Sequence, residues 1–261
     1  MQRTSPRHRV TTIALAAVFV LAVAGTCDAA RAVTVTSSRA ANPTATITPA
    51  AAYPPEPTPI PGTITVIALA KNRLTPLFRS ASDKTPFATL DNRRNYSGQE
   101  VFTVVSAQGS GYIVHVPIRP NATLAYVRAT DVSIAKHAFL IEVSLSRKEL
   151  VAYDGTTELV RTKAAIGQSR YPTPKGVFFT REFYRPKTAE TPFGVGAFGL
   201  SGYSNVLTQF GRGNGQIAIH GTNHPELVGQ AVSHGCIRVD NAVISRLYGV
   251  LPPGVPVVIS D

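Results

Sequence analysis

From residue 63 onward apolar residues come in short runs of strand length, several of them divided by turn-prone segments, and this points to a mainly β protein. Ile64 to Ala70, Val101 to Val105, Tyr112 to Val116 and Leu124 to Arg128 read as strands, separated by turn segments such as Gln108-Gly109-Ser110-Gly111 and Arg119-Pro120-Asn121. Five or six short strands between residues 63 and 136 predict a small β-barrel. Beyond it, Ala138 to Val143, Glu149 to Asp154, Leu159 to Ile166 and Gly176 to Arg181 continue the strand pattern, and Val255 to Ile259 is placed to close a sheet. The main helix candidate is Asn241 to Val250, with Asp240 as its cap and Leu251-Pro252-Pro253-Gly254 as its stop. The stretch Phe183 to Phe198, with its prolines and glycines, predicts a long loop that serves as a lid.

The first 62 residues follow other rules. Arg3, Arg7 and Arg9 precede the uncharged run Val10 to Ala24, which is short for a membrane span and right for an export signal. Residues 1–32 are therefore expected to be a signal peptide or, if uncleaved, a membrane anchor, with export to the cell wall or periplasmic space. Residues 33–62 are rich in Ala, Thr and Pro and cannot bury enough apolar surface to order themselves, so they read as a linker. Cys27 follows Ala24-Gly25-Thr26, a poor approach to a lipidated cysteine; cleavage beyond it would leave Cys236 alone, with no intrachain disulfide. The net charge of +11 is spread as +3, +5 and +3 over residues 1–62, 63–137 and 138–261. Such dispersion lacks the dense basic run of a nucleic-acid binder.

The chemistry concentrates in Ser233-His234-Gly235-Cys236-Ile237-Arg238 and in Ile219-His220-Gly221-Thr222. A thiol is mostly protonated at neutral pH, so a nucleophilic cysteine needs a base, donors for an oxyanion and a chain path that unites them. Gly235 permits a tight turn, and His220 and His234 offer a base and a second polar group. Two plainer readings compete. A cysteine among aliphatic residues is commonly a small core residue, but serine, histidine and glycine are poor core fillers. His220, His224, His234 and Cys236 could supply zinc ligands, yet Gly221 and Pro225 undermine a helical pair, and no metal is expected.

These residues resemble the L,D-transpeptidase catalytic-domain family, the YkuD type, whose signature is a histidine followed, after fourteen to seventeen residues, by Ser/Thr-His-Gly-Cys. Here fifteen residues lie between His220 and Cys236 when the count runs to the cysteine, and twelve when it stops at Ser233, which places this chain among the shorter ones. Tyr171 to Gly176, Phe198 to Ser204 and Leu251 to Ile259 are similar to further family landmarks in family order, so the resemblance spans residues 138–261. Many members carry Asn two residues after the cysteine, where this chain has Arg238. The resemblance implies a β-sandwich-like catalytic domain that needs no cofactor. It also implies acyl transfer between peptidoglycan stem peptides through a thioester on Cys236. His220 would be the base, the Gly221 carbonyl its orienting partner, and amides around His234, Gly235 and Cys236 the oxyanion donors. Ser233, Thr222, Arg238 and Tyr203 are candidates for substrate contact, Tyr203 as part of a flap over the donor site. A β-lactam of the carbapenem class would acylate the same thiol. Tyr112 to Pro117 with Ala125 to Arg128 resembles the bacterial Src-homology-type modules that precede some such domains.

Two other classes stay open. A carboxypeptidase-type hydrolase would use the same thioester with water as acceptor. A noncatalytic wall-binding protein would carry the His220, His234 and Cys236 set as a relic.

Overall fold

The computed structural model describes residues 57–211 and 213–261, so the expected export segment, Cys27 and the linker up to residue 56 lie outside the described residues. The described residues fall within one compact unit. Its first strands are β1 (Thr65–Ala70), β2 (Leu74–Leu77), β3 (Ala88–Asp91), β4 (Val101–Gln108), β5 (Gly111–His115), β6 (Leu124–Arg128) and β7 (Val132–His137). Five of them form an antiparallel sheet in the order β6-β5-β4-β1-β7. The β2–β3 hairpin docks on it through an antiparallel bridge between Phe78 and Tyr126. Alternation does the work expected of it: Ala68, Ala70, Phe102, Val114, Val127 and Val132 turn inward into one cluster.

The remaining elements are β8 (Phe139–Ser144), β9 (Glu149–Asp154), β10 (Thr157–Lys163), β11 (Ile166–Gly167), β12 (Gly176–Tyr184), β13 (Ala197–Tyr203), β14 (Gln216–His220), β15 (Ala231–Ser233), β16 (Ile237–Arg238), α1 (Asn241–Val250) and β17 (Pro256–Ser260). Eight strands line up as β10-β9-β8-β17-β12-β13-β14-β16, and β12 is the hinge of this sheet. Gly176 to Phe179 pair with β17, whereas Thr180 to Tyr184 pair with β13 after a register shift between Thr180 and Glu182. A strand that passes through a bulge from one partner to another turns a sheet's corner, and the two halves then face each other. The core confirms the sandwich: Ile141, Leu150 and Val257 from one half share a cluster with Leu200, Ile217 and Ile237 from the other and with Ile244 and Leu247 of α1.

The two sheets meet at a small apolar junction of Ile67, Val101 and Phe179. Gly254 sits against it with φ +77°, and an added Cβ would lie 2.8 Å from Ile67 and Val101 side-chain carbons, so glycine answers both the turn and the contact. Beside it, Arg181 of β12 donates from Nε to Glu100 Oε2 at 2.9 Å, a pair in which Glu100 is fully buried.

Several expectations need correction. The predicted lid, Phe183 to Phe198, is strand at both ends, because Phe183 and Tyr184 complete β12 and Ala197 and Phe198 begin β13; only 185–196 connects them. Asp240 occupies the cap position of α1, but its side chain makes no capping bond. The next residue, Asn241, makes the polar contacts, and they reach into the site described below.

Candidate active site

The parallel pairing of β14 with β16 sets the site. Ile219 lies opposite Ile237 and His220 opposite Arg238. Side chains alternate along each strand, so Ala218, His220, Cys236 and Arg238 share one face while Ile219 and Ile237 enter the core on the other. All four residues of that face line one cavity of about 580 Å³, a size that suits a short peptide segment.

His220 is almost wholly buried, and its Nδ1 donates to the Gly221 carbonyl at 2.6 Å. That bond fixes the tautomer and leaves Nε2 as the basic nitrogen. The Phe193 ring meets the imidazole edge-on at 5.1 Å between centroids. Burial pushes the His220 pKa down to about 4, the Gly221 bond opposes it, and the Arg238 charge adds to the lowering. Burial pushes the Cys236 thiol up, while a backbone hydrogen bond from Ala218 and the charge of Arg238 draw it partway back. Thiol and imidazole are thus both neutral at rest near pH 7, so a thiolate at Cys236 would need a base to take its proton.

His220 makes stability pH-dependent. An unfolded histidine titrates near 6.5 and the folded one near 4, so between those values the unfolded chain binds a proton that the folded chain does not. Stability should therefore fall as pH falls through that window, by up to about 1.4 kcal/mol per unit from this residue. Melting temperatures of the wild type and His220→Gln measured from pH 7 down to pH 4 check this: the wild type should lose more, and equal losses would contradict it.

The turn carrying the thiol is tied internally. Ser233 Oγ donates to the Cys236 carbonyl at 2.6 Å and accepts the Gly235 amide at 3.0 Å. Gly235 has φ +113°, a conformation that side chains oppose even though space for a Cβ exists. Its N–H is therefore committed to Ser233 and is removed from the expected set of oxyanion donors. His234 is exposed and lines the cavity, its ring lying between Tyr171 at 4.7 Å and Phe210 at 4.8 Å.

Of the four residues expected to contact substrate, Arg238 alone lines the cavity. Its Nε is buried without a hydrogen-bond partner, which leaves a cationic donor at the site. Ser233 braces the turn. Thr222 is buried; its amide donates to Asn241 Oδ1 at 3.0 Å and its hydroxyl accepts the His224 amide at 2.9 Å. Tyr203, expected on a flap over the donor site, is instead the buried last residue of β13, with its hydroxyl donating to the Pro117 carbonyl at 2.7 Å. His224 stands apart, exposed and 3.0 Å from Glu226, and among the described residues no group of three or more metal-ligating side chains lies together.

The structure adds residues that sequence reading missed. Asn241 Oδ1 accepts the amides of Thr222 and Val195, and its Nδ2 donates to the Thr222 carbonyl at 3.0 Å. It thereby holds the loop whose Gly221 carbonyl orients His220, and a Cβ on Gly221 would lie 2.1 Å from Asn241 Oδ1. An asparagine directly after a predicted cap was the available signal. The connection 204–215 forms a cavity wall through Ser204, Leu207, Phe210 and Asn214, and Tyr96 of the first sheet's loops forms another. Nothing local in the sequence ties Tyr96 to a site so far along the chain.

Residues 138–259 match the family described as the L,D-transpeptidase catalytic domain, YkuD. The chain is 33% identical over 123 residues to the Bacillus licheniformis protein named "Putative L,D-transpeptidase YkuD", covering 47% of this chain and 66% of that one. The Bacillus subtilis protein of the same name is 31% identical over 120 residues, covering 46% and 65%. The matched region thus spans just under two thirds of each of these relatives. Among solved structures, L,D-transpeptidase 3 from Mycobacterium tuberculosis, in complex with a faropenem-derived adduct, is similar at a TM-score of 0.40 and 14% identity, over 62% of this chain and 91% of that one. That likeness is too loose to carry a conclusion about chemistry.

Proposed function

Because residues 138–259 belong to the YkuD L,D-transpeptidase catalytic-domain family, we propose that this chain forms cross-links between peptidoglycan stem peptides through an acyl-enzyme on Cys236. One observation carries the reading: the β14–β16 register gathers Cys236, His220 and Arg238 on one face of one cavity, with the imidazole fixed by Gly221.

In the proposed reaction His220 Nε2 takes the thiol proton as sulfur attacks the carbonyl of a donor tetrapeptide stem at its diaminopimelate residue. The amides of His234 and Cys236 are the candidates to hold the oxyanion, each such donor contributing roughly 3 to 4 kcal/mol in comparable sites. Collapse of the tetrahedral adduct breaks the peptide bond, and the proton on His220 leaves with the terminal D-alanine amine. A side-chain amine of a second stem then attacks the thioester, gives its proton to His220, and the thiol is restored. The thioester conserves the energy of the broken bond, so the exchange needs no nucleotide. Arg238, with its unpartnered Nε, suits a stem carboxylate through the planar guanidinium.

The same reading assigns residues 63–136 to a small β-barrel unit of the Src-homology type ahead of a catalytic domain over 138–261. It also places the protein outside the cytoplasm, on the strength of the basic-then-apolar segment at Arg3 to Ala24. A carbapenem, with its strained carbonyl, is the expected covalent inhibitor.

Mass spectrometry of products from a defined tetrapeptide donor and an amine acceptor tests the proposal. A cross-linked dimer with D-alanine release is the expected result. A tripeptide product alone would replace transfer by hydrolysis, and unchanged donor would remove catalysis altogether.

A further inference from the structure

The connection 204–215 between β13 and β14 walls the Cys236 cavity, yet its anchorage comes from the N-terminal sheet. Arg119, in the turn between β5 and β6, donates from Nη1 to the Ser204 carbonyl at 2.8 Å and from Nη2 to the carbonyls of Leu207 at 3.0 Å and Asn214 at 3.1 Å. One guanidinium thus binds both ends of the connection. Asn121 grips its root, accepting the Tyr203 amide at 2.9 Å and donating to the Tyr203 carbonyl at 2.8 Å. The Arg119 guanidinium lies 4.9 Å from the centre of the Tyr203 ring, whose hydroxyl reaches back to the Pro117 carbonyl. Gly215 completes the closure: an added Cβ would lie 2.0 Å from the Leu207 carbonyl oxygen and 2.8 Å from Arg119 Nη2.

The chemistry of the staple is specific. Three carbonyl oxygens from separate points of a loop need several donors in a fixed plane, which a guanidinium supplies and an ammonium does not. A second contact, from the connection between β3 and β4, reaches the cavity directly. The Tyr96 amide donates to Glu182 Oε2 at 2.8 Å, its ring lies 4.9 Å from that of Tyr184, and both Tyr96 and Glu182 line the cavity.

We propose that Arg119 is a positioning residue of the active site: it holds the 204–215 connection as the cavity wall, so that the N-terminal sheet is a working part of the donor site and not only a spacer. The kinetic consequence rests on the transpeptidase reading above; the structural one does not.

The test compares the wild-type chain, Arg119→Ala, Arg119→Lys and Asn121→Ala by hydrogen exchange and by turnover of a tetrapeptide donor. Loss of a charged donor to three carbonyls should speed exchange across 204–216 about ten- to hundredfold, while α1 stays protected as before. The donor KM should rise about tenfold with kcat changed far less, since the wall binds donor and does no chemistry. Arg119→Lys should recover only part of either effect. Unchanged exchange at 204–216 in Arg119→Ala would overturn the staple, and faster exchange with unaltered KM would overturn its role in donor binding. Should Arg119→Ala fail to fold, Asn121→Ala reads the same anchorage through the loss of protection at the Tyr203 amide. A wild type that turns over no donor would defeat the transpeptidase reading, and the exchange result would still decide the staple.

Discussion

Cys236→Ala is expected to lose at least about 10⁴-fold in acyl transfer, because the proposed reaction passes through a thioester on this sulfur and assigns the neighbouring residues to act through it. The fold should survive. The side chain is small and partly exposed, and the turn around it is held by Ser233 and by the backbone of Gly235. A stability change within about 1 kcal/mol is therefore expected, measured by thermal or denaturant unfolding. His220→Ala should approach the same loss of activity, since the proposed base and nucleophile would work as one unit, whose deletions are not additive. Full activity in Cys236→Ala would end the thiol mechanism.

Glu100→Ala is expected to produce the largest loss of stability. Glu100 is fully buried and Arg181 nearly so, and removing the carboxylate strands a guanidinium at the junction of the two sheets. Breaking a buried pair from one side costs about 3 to 5 kcal/mol, which lowers the melting temperature by roughly 10 °C or more in a domain of this size. Lys175→Ala is the control. Its partner Asp261 and Lys175 itself are exposed, and the loss there should stay below about 1 kcal/mol. Replacing both partners, as Glu100→Leu with Arg181→Met, should recover much of the deficit because the desolvation cost disappears with the charges. Equal effects at Glu100 and Lys175 would show that the junction pair is not the structural element proposed.

The sequence exposed those parts of the fold that depend on short-range pattern. Glu149–Asp154, Leu124–Arg128 and the helix Asn241–Val250 fall where alternation and the Pro-Pro-Gly stop predict them. The strand Ala197–Tyr203 was harder to read, because Gly199 and Gly202 look like turn residues. Their reason is steric: a Cβ on Gly202 would lie 2.4 Å from the Phe178 ring, and one on Gly199 would lie 2.9 Å from the Glu182 side chain. Packing across strands, which no local window contains, selects glycine there. The same limit applies to the site. Cys236, His220 and Gly221 could be singled out because they are concentrated in two short segments, and the fold brings these segments to one cavity. Tyr96, Arg119 and Asn121 were not, since their partners lie more than eighty residues away and become neighbours only after both sheets form. Tyr203, placed on a flap by resemblance, was misread for a related reason, because the β5–β6 connection that buries it lies far away in the chain.

The central claim is that Cys236 is a nucleophile served by His220, and intact-mass analysis after exposure to a carbapenem tests it most directly. A strained β-lactam carbonyl needs the same thiolate and the same oxyanion donors as a stem peptide but no acceptor, so the acyl-enzyme should accumulate. The wild type should gain one drug equivalent, mapped by peptide analysis to Cys236. The adduct should be absent in Cys236→Ala and form more slowly in His220→Ala, where no base removes the thiol proton. An adduct on Cys27, or one that persists in Cys236→Ala, would contradict the account.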